Sequence, residues 1–120
     1  PNAFIIGNTQ SGFTANFPHM IDEQSQHIAY ILKQAGERQA TVVEATPEAE
    51  ATWVEEIINK AIMRQKFAEE CTPGYYNNEG QPSPAAVRNG SYGAGPIAFV
   101  KILEDWRDTG SLEGLSLSHG

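Results

Sequence analysis

A single cysteine, Cys71, stands in the 120 residues, so no disulfide can form within the chain. With so few thiols a reducing, cytoplasmic setting is the natural expectation. Positive charge is also scarce: 8 Lys and Arg stand against 15 Asp and Glu, a net charge of −7. No basic cluster occurs anywhere, which argues against nucleic acid or an anionic membrane as partner, because both are held by phosphate-neutralising Lys and Arg. No apolar run is long enough to span a bilayer, and no secretory signal pattern is present. Internal repeats are missing too. So are the nucleotide fingerprints: Gly7 and Gly12 have P-loop spacing, but Phe13 and Thr14 replace the Lys and Ser/Thr that bind phosphate, and no G-x-G-x-x-G follows.

What remains is an α/β pattern, mostly helical. Ala3-Phe4-Ile5-Ile6 is a continuous apolar run closed by Gly7, the signature of a strand buried on both faces. A polar turn over residues 8–16 follows. Pro18 suits the first turn of a helix, and Met20, Ile21, Gln24, Ile28, Ile31, Leu32 and Ala35 recur at helical spacing up to a stop at Gly36. Thr41-Val42-Val43 is a second short extended piece. Thr46-Pro47-Glu48 predicts a capped helix start, and Trp53, Val54, Ile57, Ile58, Ala61 and Ile62 carry that helix to about Phe67. From Cys71 to Gly95 the chain is rich in Gly and Pro and reads as a long loop, of a length more often functional or mobile than idle. Gly95-Pro96 opens a third helix, with Ile97, Val100, Leu103 and Trp106 on one face and Gly110 as its end. Leu112 to Leu117 returns as an extended tail, and His119 and Gly120 are expected to fray.

A strand of parallel-sheet type needs neighbours on both sides, and the sequence offers only two or three short candidates. Ala3–Ile6 therefore lacks most of the sheet it is patterned for, which reads as a piece of something longer. The strand–loop–helix unit also brings a helix N-terminus, with its free N–H groups and positive dipole end, to the carboxyl end of the strand.

The segments Pro1 to Gly7, Gly12-Phe13-Thr14-Ala15-Asn16-Phe17 and Ile21-Asp22-Glu23-Gln24 resemble one stretch of the Baeyer–Villiger flavin monooxygenases. The resemblance continues through Glu44-Ala45-Thr46 with Trp53 and ends in Trp106 to Leu115, so it covers nearly the whole chain. It implies a C-terminal segment of an enzyme that uses FAD, NADPH and O2 to insert oxygen into a ketone. Residues 1–36 would be the last strand–loop–helix of a Rossmann-like FAD domain. Residues 37–120 would be a helical segment with a cofactor-gating loop near 71–95. The resemblance further implies flavin contact at Thr14, Asn16 and Phe17, through side chains and through the N–H groups of Asn16, Phe17 and His19. Phe13 and Phe17 would wall the flavin or substrate pocket, and Tyr75 or Tyr76 would cover NADP(H), since Glu70-Cys71 stands where family members carry a Trp. No catalytic residue and no metal ligand set is assigned. The partners are then the remainder of its own polypeptide and a small-molecule ketone; alone, the piece should bind no cofactor, lack activity and tend to self-associate.

Simpler readings stand beside these. Trp53 and Trp106 fall on apolar stripes and read as core, and Glu23 with His27 reads as a surface pair. A rival from another class is an independent acidic helical module that binds a protein partner.

Overall fold

The computed structural model describes residues 1–61 and 87–120. Among these residues are three helices, α1 (Phe17–Glu37), α2 (Pro47–Asn59) and α3 (Pro96–Thr109). Two short strands, β1 (Val42–Ala45) and β2 (Leu115–Ser118), pair antiparallel with Val42 opposite Ser118 and Ala45 opposite Leu115.

The helix boundaries follow from local chemistry. At α2 the Thr46 hydroxyl accepts the Ala49 N–H, Pro47 follows it, and Glu48 and Glu50 face the positive dipole end. Gly95 caps α3, and Gly110, in the left-handed region, ends it. Gly36 does not stop α1. The helix runs on to Glu37 and closes through Gln39 N–H to the Gly36 carbonyl and Ala40 N–H to the Ala35 carbonyl. Gln39 takes the left-handed conformation usual for glycine there, at φ 56°. The exchange is favoured by packing, because the closure lays Ala40 on Ile31, Ala35 and Val43.

Two small cores lie along α1, which is roughly 31 Å long at 1.5 Å per residue. Met20, near its start, joins Ile57, Tyr92 and Phe99, with Trp53 and Leu103 packed on them. Ile31 and Ala35, near its end, join Val43 under Trp106, Leu115 and Leu117. Helix α3 contributes Phe99 to the first and Trp106 to the second, so α1 and α3 run side by side in the same direction.

Four sequence expectations need correction. Ala3–Ile6 is not a strand: the residues have no regular structure, and Ile5 is 90% exposed. Among the described residues, the position a third strand would take beside β1 is held by Asn2 alone. Its N–H donates to the Val43 carbonyl at 2.8 Å, and its Oδ1 accepts the Val43 N–H at 2.8 Å. The run that follows has no strand to pair with among the described residues. Next, α2 ends at Asn59, short of Phe67, with Ile58 exposed; residues 62–67 lie outside the described residues. On α3, Ile97 is 86% exposed while Phe99 is buried, which shifts the inward stripe to Phe99, Leu103 and Trp106. Finally, Gly120, expected to be loose, is tied by its N–H to the Thr41 hydroxyl at 2.8 Å.

Candidate functional site

The loop between Gly7 and Asn16 connects the apolar run to α1, and buried polar groups hold it. Gln24 is 8% exposed and turns its carboxamide onto Gly7: Oε1 accepts the Gly7 N–H and Nε2 donates to the Gly7 carbonyl, both at 3.0 Å. The Ser11 hydroxyl donates to the same carbonyl. Gln10 N–H donates to the Gly90 carbonyl and Tyr92 N–H to the Ser11 carbonyl, each at 2.8 Å. The described end of the long loop is thereby fastened to the first one.

Tyr92 ties this layer to α2. Its ring stacks on Trp53 with centroids 5.5 Å apart, and its hydroxyl donates to Glu56 Oε1 at 2.7 Å. Burial, together with the Glu56 carboxylate, pushes the phenol up to about 12. Two glycines are required by close approach. A Cβ on Gly93 would stand 1.6 Å from the Lys60 carbonyl oxygen, and one on Gly12 would stand 2.9 Å from Pro96 Cα. The loop itself is under tension: Gln10 is in the left-handed region at φ 55°, and the buried Asn8 Oδ1 has no hydrogen-bond partner among the described residues.

At the head of α1, Thr14 Oγ1 accepts the Asn16 N–H at 3.3 Å, and Asn16 Oδ1 accepts the His19 N–H at 3.4 Å. Both side chains are thus engaged in capping, and two of the three N–H groups expected to face a ligand already have partners. Pro18 has none to offer. Phe17 N–H makes no hydrogen bond among the described residues, and Phe13 and Phe17 are 58% and 38% exposed. The two rings are therefore not packed into a core. The start of α1 thus combines a helix N-terminus with two exposed aromatic residues. Beside it, Thr14 and His19 line a groove of about 320 Å³ with Ile97 and Lys101 from the start of α3. A second cleft, of about 680 Å³, opens between the Gln10 turn and α2, with Arg88 and Glu50 on its walls.

Tyr75 and Tyr76 lie outside the described residues. His27, read as half of a surface pair with Glu23, instead sits between the helices. Its ring lies 5.0 Å from that of Trp106, and its Nδ1 is 3.3 Å from Arg107 Nη1. Desolvation first, and the Arg107 guanidinium second, lower it to about 4. Among the described residues no three His, Cys, Asp or Glu side chains gather as a metal site, and no helix is long and apolar enough to cross a membrane. Sequence reasoning missed Ser11, Glu56 and Tyr92, and counted Gln24 as one more residue of the α1 stripe. The available signal was an uncharged amide at an inward position.

Along its whole length the chain is similar to one segment of proteins named as Baeyer–Villiger monooxygenases and their relatives. No protein-family model matches it, but whole proteins do. Neopentalenolactone D synthase of Streptomyces avermitilis is 48% identical over 120 residues, which is 100% of this chain and 20% of that protein. Baeyer–Villiger monooxygenase ATR8 of Stachybotrys chlorohalonatus is 37% identical over 98% of the chain and 19% of its own length. Among solved structures, the polycyclic ketone monooxygenase of Thermothelomyces thermophila superposes with a TM-score of 0.81 at 32% identity, covering 92% of this chain and 18% of that one. The chain thus spans about a fifth of the length of the curated relatives it matches.

Proposed function

We propose that the chain works as one segment of a larger flavin monooxygenase that uses FAD, NADPH and O2 to insert oxygen beside a ketone carbonyl. The observation that carries the reading is similarity along nearly the whole chain to a Baeyer–Villiger monooxygenase and to a polycyclic ketone monooxygenase of known structure. It favours this reading over an independent interaction module. Residues 1–36 complete the FAD-binding domain in the proposal, and residues 37–120 form the C-terminal helical part. The exposed run Phe4-Ile5-Ile6 joins a Rossmann-type sheet contributed by the remainder of the polypeptide.

The head of α1 faces the flavin. Bound there, the flavin supplies the redox chemistry. Phe17 N–H and the helix dipole favour negative charge on the electron-rich edge of its ring, and they do so without reorganising. Thr14 and Asn16 act by holding that N–H in place, and Phe13 and Phe17 keep water from the ring face and bound ketone. Tyr75 or Tyr76 covers NADP(H), and the segment around residues 71–95 orders when that cofactor binds.

The test uses the full-length enzyme. It should purify with flavin and oxidise NADPH faster when a cyclic ketone is added, forming a lactone. Thr14→Ala and Asn16→Ala should each lower turnover by the equivalent of roughly 1–3 kcal/mol, with about 1 kcal/mol lost in stability from the missing caps. Turnover unchanged in both variants would remove the head of α1 from the site.

A further inference from the structure

A buried carboxamide is tolerated only when its donor and acceptor are both used, since an unmet polar group in the interior costs about 1–3 kcal/mol. Gln24 meets this condition through one residue, Gly7. The orientation of the amide follows from the pairing, because a flipped carboxamide would set N–H against N–H and oxygen against oxygen. In effect the side chain does for Gly7 what a neighbouring strand does for a backbone peptide. The Gly7 carbonyl then takes a second donor from Ser11, whose own carbonyl takes Tyr92 N–H. Five residues beyond Gly7, Gly12 lies against Met20 and Pro96. A loop conformation that moved Gly7 away would take both partners from the part-buried Gln24 amide, so this contact favours the conformation present.

We propose that Gln24 is a positioning residue for the reaction: by clamping Gly7 it fixes the Gly7–Asn16 loop, and through the loop the placing of Phe13, Thr14, Asn16 and Phe17. This rests on the function proposed above. Gln24 acts through its two hydrogen bonds to Gly7. Its effect is on how much of the NADPH consumed ends in oxygenated product.

The experiment compares full-length enzyme with Gln24→Leu, Gln24→Glu and a control on the exposed side of the same helix, Gln26→Leu. In Gln24→Leu, amide exchange over residues 7–16 should rise by about tenfold or more, while residues 26–37 keep the rate of the unmodified enzyme. Product formed per NADPH should fall several-fold, the flavin absorption envelope should shift, and the KM for NADPH should stay within about twofold. Gln24→Glu should regain coupling as pH falls, because a protonated carboxyl again offers Gly7 one donor and one acceptor. Gln26→Leu should change none of these. Faster exchange throughout α1, or lower thermal stability with coupling intact, would reduce Gln24 to a packing residue and overturn the proposal. An unmodified enzyme that carries no flavin would overturn the proposed function and the link to turnover with it. Exchange confined to residues 7–16 would even then uphold the role of Gln24 in setting the loop.

Discussion

The two ends of α1 are built on different principles. At the sheet end, Ile31, Ala35 and Val43 pack under Leu115, Leu117 and Trp106, and the hydrogen bonds are mostly those of a backbone ladder. The other end has a core of similar size around Met20, Ile57 and Phe99, with a layer of part-buried polar contacts from Gln24 to Glu56 beside it. It also shows exposed Phe13, Phe17 and Ile97 and an Asn8 oxygen without a hydrogen-bond partner among the described residues. The sheet end is held chiefly by apolar packing and its ladder. The loop end spends its polar side chains on fixing a shape and leaves Phe13 and Phe17 exposed.

The sharpest way to break this contrast is Gly93→Ala. The new methyl would meet the Lys60 carbonyl, a backbone atom that cannot move aside as a flexible side chain would. We expect a loss of at least about 3 kcal/mol in denaturant unfolding, with protection lost first around residues 7–12 and 90–95 and last in the β1–β2 ladder. Equal loss at both ends would mean that they are a single cooperative unit.

A smaller effect, graded by pH, should come from the junction of the two ends. His27 titrates near 4 when folded and near 6.5 when unfolded. Its lowered value means that the contribution to stability is complete above about 6.5 and is lost as pH falls towards 4, where the folded state also takes the proton. Thermal unfolding of His27→Gln against the unmodified protein should show the difference between them shrinking over that interval. A constant difference would mean that His27 is charged in the folded state.

The smallest expected change sharpens the sheet end. Gln39→Gly relieves a left-handed residue at the close of α1 and should stabilise by up to about 1 kcal/mol in the same unfolding assay. No gain would mean that Gln39 contributes a compensating interaction.

The legibility of the fold in the sequence follows the range of the forces. The starts of α2 and α3 and the end of α3 depend on Thr46, Pro47, Gly95 and Gly110 acting on their own neighbours, and those boundaries can be read directly. Gly36 is overridden by Ala40 packing on a core assembled from distant segments. Ile97 and Phe99 exchange roles because the direction α3 faces is fixed by Met20 and Ile57, far away in sequence. The head of α1 was legible as a helix start. What was hidden is that Thr14 and Asn16 turn onto backbone N–H groups at the helix start, and that Gln24 reaches back seventeen positions to Gly7.

The chain before α1 is anchored at both ends of its apolar run: Asn2 to Val43 on β1, and Gly7 to Gln24 on α1. Ala3 to Ile6 therefore spans a gap of fixed width and has lost much of its conformational freedom while still facing solvent. A surface that covers Phe4, Ile5 and Ile6 meets a strip already held in place, so little ordering entropy is left to oppose the contact. A stretch that looks unfinished by its exposure is, thermodynamically, the part of the molecule best prepared to be covered.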